Sequence, residues 1–133
     1  MNAPSLFPIK KVRPRDANAE ARIQAAIFEF VRTIAPDVLI YAVPNGGLRS
    51  KSEAARMKWT GVVAGIPDLA LVLPDGRAAF VEVKAAHGAL SEAQREIRLV
   101  MIQRGIPVIT ARSVDDVRAA LKQWHVETRE VAR

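Results

Sequence analysis

Glu82-Val83-Lys84 is the triplet of this sequence that carries the most chemistry. Residues two apart in a strand share a face, so a carboxylate and an ammonium project side by side while Val81, Val83 and Ala85 point the other way. Taken alone, that is a charged pair on a solvated strand. Turn chemistry adds a second carboxylate. Pro74-Asp75-Gly76 suits a type I turn followed by a left-handed glycine, which pairs Leu73 with Arg77. Carried along the hairpin, this register sets Asp68 opposite Glu82, and a one-residue change in the loop breaks it. Clustered carboxylates repel each other, and a divalent cation is the usual way to stabilise them. Asp68 and Glu82 are expected to supply side-chain oxygens and the backbone carbonyl of Val83 a third ligand. A magnesium ion there polarises a phosphoryl oxygen and lowers the pKa of a water, which Lys84 orients, or Lys84 stabilises the charge growing on the phosphate. Phosphodiester hydrolysis is within reach of such a set.

Composition narrows the alternatives. The 133 residues fit one domain, and 50% of them are hydrophobic, enough for a packed core. Twenty Lys and Arg against 14 Asp and Glu leave a net charge of +6, which favours a polyanionic partner, nucleic acid ahead of membrane. Cysteine is absent and the histidines are His87 and His125, so thiolate and histidine-rich metal sites are excluded and an oxygen-loving ion (magnesium, manganese or calcium) is expected. No apolar run is long enough to span a bilayer and Met1–Arg15 lacks the apolar centre of a signal peptide, so the cytoplasm is the expected compartment.

Several elements must position the chemistry. Residues 1–15, with three prolines and only positive charges, read as a basic arm. A helix is expected from Asp16 to Ile34, with Ile23, Ile27, Phe30, Val31 and Ile34 as its apolar stripe. Ile27 and Val31 fall about 20° either side of Glu20 around the helix axis, so Glu20 faces the core. A strand is expected over 37–43, then the Pro44-Asn45-Gly46-Gly47 loop, then a short helix capped by Ser50 and running to Trp59. Strands over 62–73 and 78–85 form the hairpin. Ser91 opens a helix with Gln94 facing inward, Pro107–Ala111 is a strand, and Ser113 caps a helix to about Trp124, with 125–133 as a tail. The strand–helix–strand unit from Ala78 to Ala111 implies a parallel pair and hence a mixed sheet of about four strands flanked by helices, an α/β fold.

Gly65-Ile66-Pro67-Asp68, thirteen residues, then Glu82-Val83-Lys84 resembles the PD-(D/E)XK nuclease signature. With Glu20, the Pro44–Gly47 loop and Gln94, the likeness narrows to the VRR-NUC family and covers residues 16–111. The resemblance implies a restriction-endonuclease-like core and DNA hydrolysis with Mg2+ or Mn2+. On that likeness Asp68 and Glu82 bind metal, Lys84 serves the water, Glu20 assists metal or water binding (through water), and Gln94 supports the site or the scissile phosphate. Standalone phage and bacterial members are homodimeric nucleases of branched DNA such as Holliday junctions, which makes that the expected function. A flap-type nuclease and a non-catalytic DNA-binding module on the same fold are the alternatives. Asn45, Arg49, Lys51, Arg56 and Lys58 are the candidate phosphate contacts, against the plainer readings of a tight turn and a solvated helix face. Trp59 and Trp124 are expected to pack in the core, and Asp115 and Asp116 to cap a helix.

Overall fold

The computed structural model describes residues 14–44 and 50–130, without the side chains of 14–17. Its hairpin has the register that the Pro-Asp-Gly turn dictates. Leu73 N–H donates to Arg77 O at 2.8 Å, Gly76 takes φ +92°, and Leu69 pairs with Val81. Along the chain the elements are α1 (Pro14–Ile34), β1 (Leu39–Ala42), α2 (Lys51–Trp59), β2 (Leu69–Val72), β3 (Ala78–Val83), α3 (Glu92–Gln103), β4 (Val108–Ala111) and α4 (Val114–Gln123). Among the described residues the strands form one sheet in chain order. β1–β2 and β2–β3 are antiparallel and β3–β4 is parallel, the mixed α/β sheet expected from the element order.

Alternation along the strands gives the sheet two unlike faces. Ile40, Leu69, Leu71, Ala79, Val81, Val83 and Ala111 point to one side and are buried against Ile27 and Val31 of α1 and Val117 and Leu121 of α4. Each fully buried Ile, Leu or Val there contributes roughly 1.5–3 kcal/mol of transfer free energy. Phe80, Glu82 and Thr110 point to the other side, which α3 reaches through Gln94 and Arg98. That cover stops short of β1, where Leu39, Tyr41 and Val72 share the face and stay exposed.

Three expectations are corrected. Helix α1 spans Pro14–Ile34 rather than starting at Asp16, so Glu20 sits in the second turn. The strand expected over 62–73 is confined to Leu69–Val72, because Gly65 has φ +91°, Pro67 lacks a ladder donor, and Val62 and Val63 are exposed. Trp59 is not a core residue: it is 86% exposed, whereas Trp124 is buried as expected. Residues after α4 pack on the domain. Val126 is buried, Arg129 N–H donates to Ile34 O at 2.7 Å, and Glu130 pairs with Arg118. No described helix is long and apolar enough to cross a membrane.

Candidate active site

Asp68 lies just before β2, where the β2–β3 ladder ends. The next residue due to face Val83 is Pro67, which has no N–H to donate to the Val83 carbonyl. Asp68 takes over on the other half of that pairing: its Oδ2 accepts the Val83 N–H at 2.7 Å. Its own carbonyl accepts Val43 N–H at 2.8 Å, so the backbone is held from the β1 side as well. The carboxylate is thereby fixed over the end of β3, against the backbone of the Glu-x-Lys motif.

Glu82 is the one buried charged residue among those described, at 4% exposure. Its Oε2 accepts from Gln94 Nε2 at 2.8 Å, while Oε1 is buried where no N–H or hydroxyl donor reaches it. Burial pushes its carboxyl up to about 8, and the hydrogen bond and charge of Asp68 push the same way. Lys84 works against this and the charge of Glu20 adds to it. A buried oxygen left unpaired costs about 1–3 kcal/mol, so its retention calls for a ligand or a role.

Gln94 reaches Glu82 because of how α3 begins. Ser91 and Gln94 form a capping box: Ser91 Oγ accepts Gln94 N–H at 3.1 Å and Gln94 Oε1 accepts Ser91 N–H at 2.8 Å. With its carbonyl end tied to the cap, the side-chain amide has only its NH2 to present to the sheet. Gly65 explains the closeness of α3 to the motif loop. A Cβ at that position would lie 2.4 Å from Ala93 O and 3.0 Å from Gln94 N, so only glycine lets the loop leading to Asp68 run against the first turn of α3.

Glu20 and Lys84 meet beyond the strand end. Glu20 Oε2 accepts the Ala85 N–H at 3.4 Å, and both this oxygen and Lys84 Cδ lie 3.4 Å from where a side chain at Gly88 would begin. Lys84 is half-buried, and among the described residues no hydrogen bond or ion pair holds its ammonium. Two further residues escaped sequence reasoning. Arg112, just past β4, donates through Nη1 to Ala85 O at 2.5 Å and fixes the backbone that follows Lys84. Arg98, one helical turn after Gln94, donates to Thr110 Oγ1 at 3.2 Å, beside Glu82 in the parallel register. An arginine after a strand carries no spacing signal that could have marked the first; the i, i+4 relation to Gln94 could have marked the second.

The structure thus brings Asp68, Glu82, Lys84, Gln94 and Glu20 to one end of the sheet. Lys51, Arg56 and Lys58 stand exposed on α2, and Asn45 and Arg49 lie outside the described residues. Among the described residues no three His, Asp or Glu side chains gather as a ready metal cage. Two carboxylates, an unpartnered buried oxygen and the Val83 carbonyl nevertheless make an all-oxygen donor set that fits a hard divalent cation.

Comparison with known proteins bears on the family and the fold. The family model for the VRR-NUC domain matches residues 18–115. A solved VRR_NUC domain protein superposes with a TM-score of 0.65 at 23% identity, covering 80% of this chain and 87% of its own. A second solved structure, of a VRR_NUC domain, gives 0.57 at 25% identity, covering 80% and 97%. No curated protein matches the chain. The matched span contains Glu20, the Asp68 and Glu82-Val83-Lys84 motif and Gln94, and on that match the chain belongs to the VRR-NUC family of nuclease domains.

Proposed function

We propose that the protein is a metal-dependent DNA endonuclease, selective for branched DNA of the Holliday-junction type and acting as a homodimer. The observation that carries the reading is Glu82: a buried carboxyl with one oxygen that no donor group reaches, beside a second carboxyl and two residues before an ammonium that no ion pair holds among the described residues. Asp68, Glu82 and the Val83 carbonyl would hold Mg2+ or Mn2+, the oxygen-seeking ions left by a chain without cysteine. Such an ion, when bound, supplies positive charge that polarises a phosphoryl oxygen and makes nearby water more acidic.

The chain's own groups do the rest. The attacking water forms a bond to phosphorus as the phosphorus–oxygen bond to the leaving sugar breaks, the water giving up its proton to solvent and the leaving oxygen taking one from it, while Lys84 donates a hydrogen bond to that water or to the phosphate oxygen on which negative charge grows. Gln94 holds Glu82 in place through one hydrogen bond while its other end is locked in the helix cap. Glu20 accepts the Ala85 N–H and Arg112 donates to the Ala85 carbonyl, so the residue after Lys84 is held at both its backbone polar groups.

The test is cleavage of labelled four-way junction, 5′ flap and linear duplex in magnesium, manganese or EDTA. Wild type, Glu82→Ala and Lys84→Ala are compared. We expect metal-dependent cutting, strongest on the junction, and its loss by at least a hundredfold in both variants, with Lys84→Ala still binding DNA. Binding without cutting in every metal turns the assignment to a non-catalytic module. Preference for the flap turns it to a flap nuclease.

A further inference from the structure

Helix α2 is built as if its partner were not protein. Nine residues are too few for a helix to persist in water on propensity alone. Here both ends are closed by local bonds. Ser50 and Glu53 form a capping box, and Thr60 Oγ1 donates back to Arg56 O at 2.9 Å. The helix has no buried residue, and its sequence, Lys51–Trp59, offers no apolar stripe for another helix or a second copy to cover. It carries Lys51, Arg56 and Lys58 against one acid, Glu53. A basic, self-capped arm is complementary to a phosphate backbone.

Its apolar residues gather at one end. Trp59 is 86% exposed and is followed by Val62 and Val63 at 36% and 50%. No other described residue with a large hydrophobic side chain exposes as much of it. The loop that follows is pinned at Gly65 against the first turn of α3, the turn that carries Gln94. Six residues of fully extended chain span at most about 22 Å, so Trp59 stands within that distance of Gly65, a reach of roughly six nucleotides along a strand. Exposed aromatics beside cations hold nucleic acid by stacking on bases, and apolar wedges enter where bases are already unstacked.

We propose that Trp59, backed by Val62 and Val63, stacks on an unpaired or branch-point base of DNA whose phosphates lie along α2, and so selects DNA with interrupted stacking. The proposal rests on the nuclease reading and adds to it the feature of the substrate that is recognised. Trp59 and Trp124 are the only tryptophans, and Trp124 is buried, so the difference in emission between wild type and Trp59→Phe reports on the indole in question.

The experiment uses EDTA, so that nothing is cut, and three DNAs: a blunt duplex, the same duplex with a single-stranded gap, and a four-way junction. Free protein should show the emission of a water-exposed indole. Gapped and branched DNA should quench it, and blunt duplex should not. Trp59→Ala should lose roughly tenfold in affinity for gapped and branched DNA, leave duplex binding unchanged, and be largely rescued by Trp59→Phe. Equal losses on all three DNAs overturn the proposal. So does a blue-shifted emission in the free protein together with a changed oligomeric state in Trp59→Ala, which would make Trp59 part of a contact between copies. If wild type cuts branched DNA in magnesium but the Trp59 variants bind like wild type, the wedge fails and the nuclease reading stands. If wild type neither binds nor cuts, both fail.

Discussion

At the scale of single residues, Glu82 decides how the site behaves with pH. Burial, reinforced by Asp68, holds its carboxyl up to about 8, while in the unfolded chain it returns to 4.5. Between those values the folded protein keeps a proton that the unfolded chain has released. Stability is therefore fully present below 4.5, falls as pH rises, and stops falling above about 8. Urea denaturation in EDTA at steps from pH 5 to 9 should show wild type weakening with pH, and Glu82→Gln, which keeps the Gln94 contact without the titration, nearly flat. Parallel curves for the two proteins would remove Glu82 as the source. Magnesium should cancel the alkaline loss if Asp68 and Glu82 hold it, because the ion needs the same carboxylate ionised.

Among the elements, the approach of the motif loop to α3 is the most sensitive joint. Gly65→Ala would put a Cβ 2.4 Å from a backbone oxygen, at a φ of +91° that L residues avoid. Backbone cannot step aside as a side chain can, so either the loop bearing Asp68 or the turn bearing Gln94 must move. We expect about 2–4 kcal/mol of destabilisation and loss of most cleavage, read by thermal melts and by turnover per folded molecule. A stable variant with wild-type turnover would show that this joint does not set the site. The joint was invisible in the sequence, where Val62–Leu73 reads as one strand. Contacts made by hairpin and helix-cap chemistry were legible, since turn residues fix the β2–β3 register locally and Ser91 orients Gln94 within one turn. Glu20 was legible too, from its angle on the α1 stripe. Trp59 was misread because hydrophobicity implies burial only where a neighbouring element exists to bury against, and none of the described helices or strands packs on α2. That depends on where the chain places its layers, which periodicity within nine residues does not encode.

For the whole molecule, the open question is what covers the second face of the sheet. α3 shields it over Glu82 and Thr110, but Leu39 (61% exposed), Tyr41 (48%) and Val72 (39%) continue the same face out to the edge strand β1. On α3 itself Leu99 and Ile102, one turn apart, are also exposed at 56% and 52%. An apolar patch of this kind, beside a strand edge that no other described strand pairs, suits burial by a second copy across a two-fold axis, and the proposed symmetric cutting of a four-way junction needs two copies. Leu39 and Val72 are direct cross-strand partners, so Leu39→Glu with Val72→Lys replaces one apolar pair by an opposite-charge pair that the isolated sheet tolerates. Sedimentation should find wild type dimeric at micromolar concentration and the double variant monomeric, with a melting temperature within a few degrees of wild type. On a junction the variant should leave single nicks where wild type makes paired cuts. A double variant that stays dimeric moves the interface to another surface such as the outer side of α3, and a wild type that is monomeric while cutting in pairs refutes the dimer. The two substitutions lie on the sheet face, not among the catalytic candidates, so any loss of paired cutting reads the assembly rather than the chemistry.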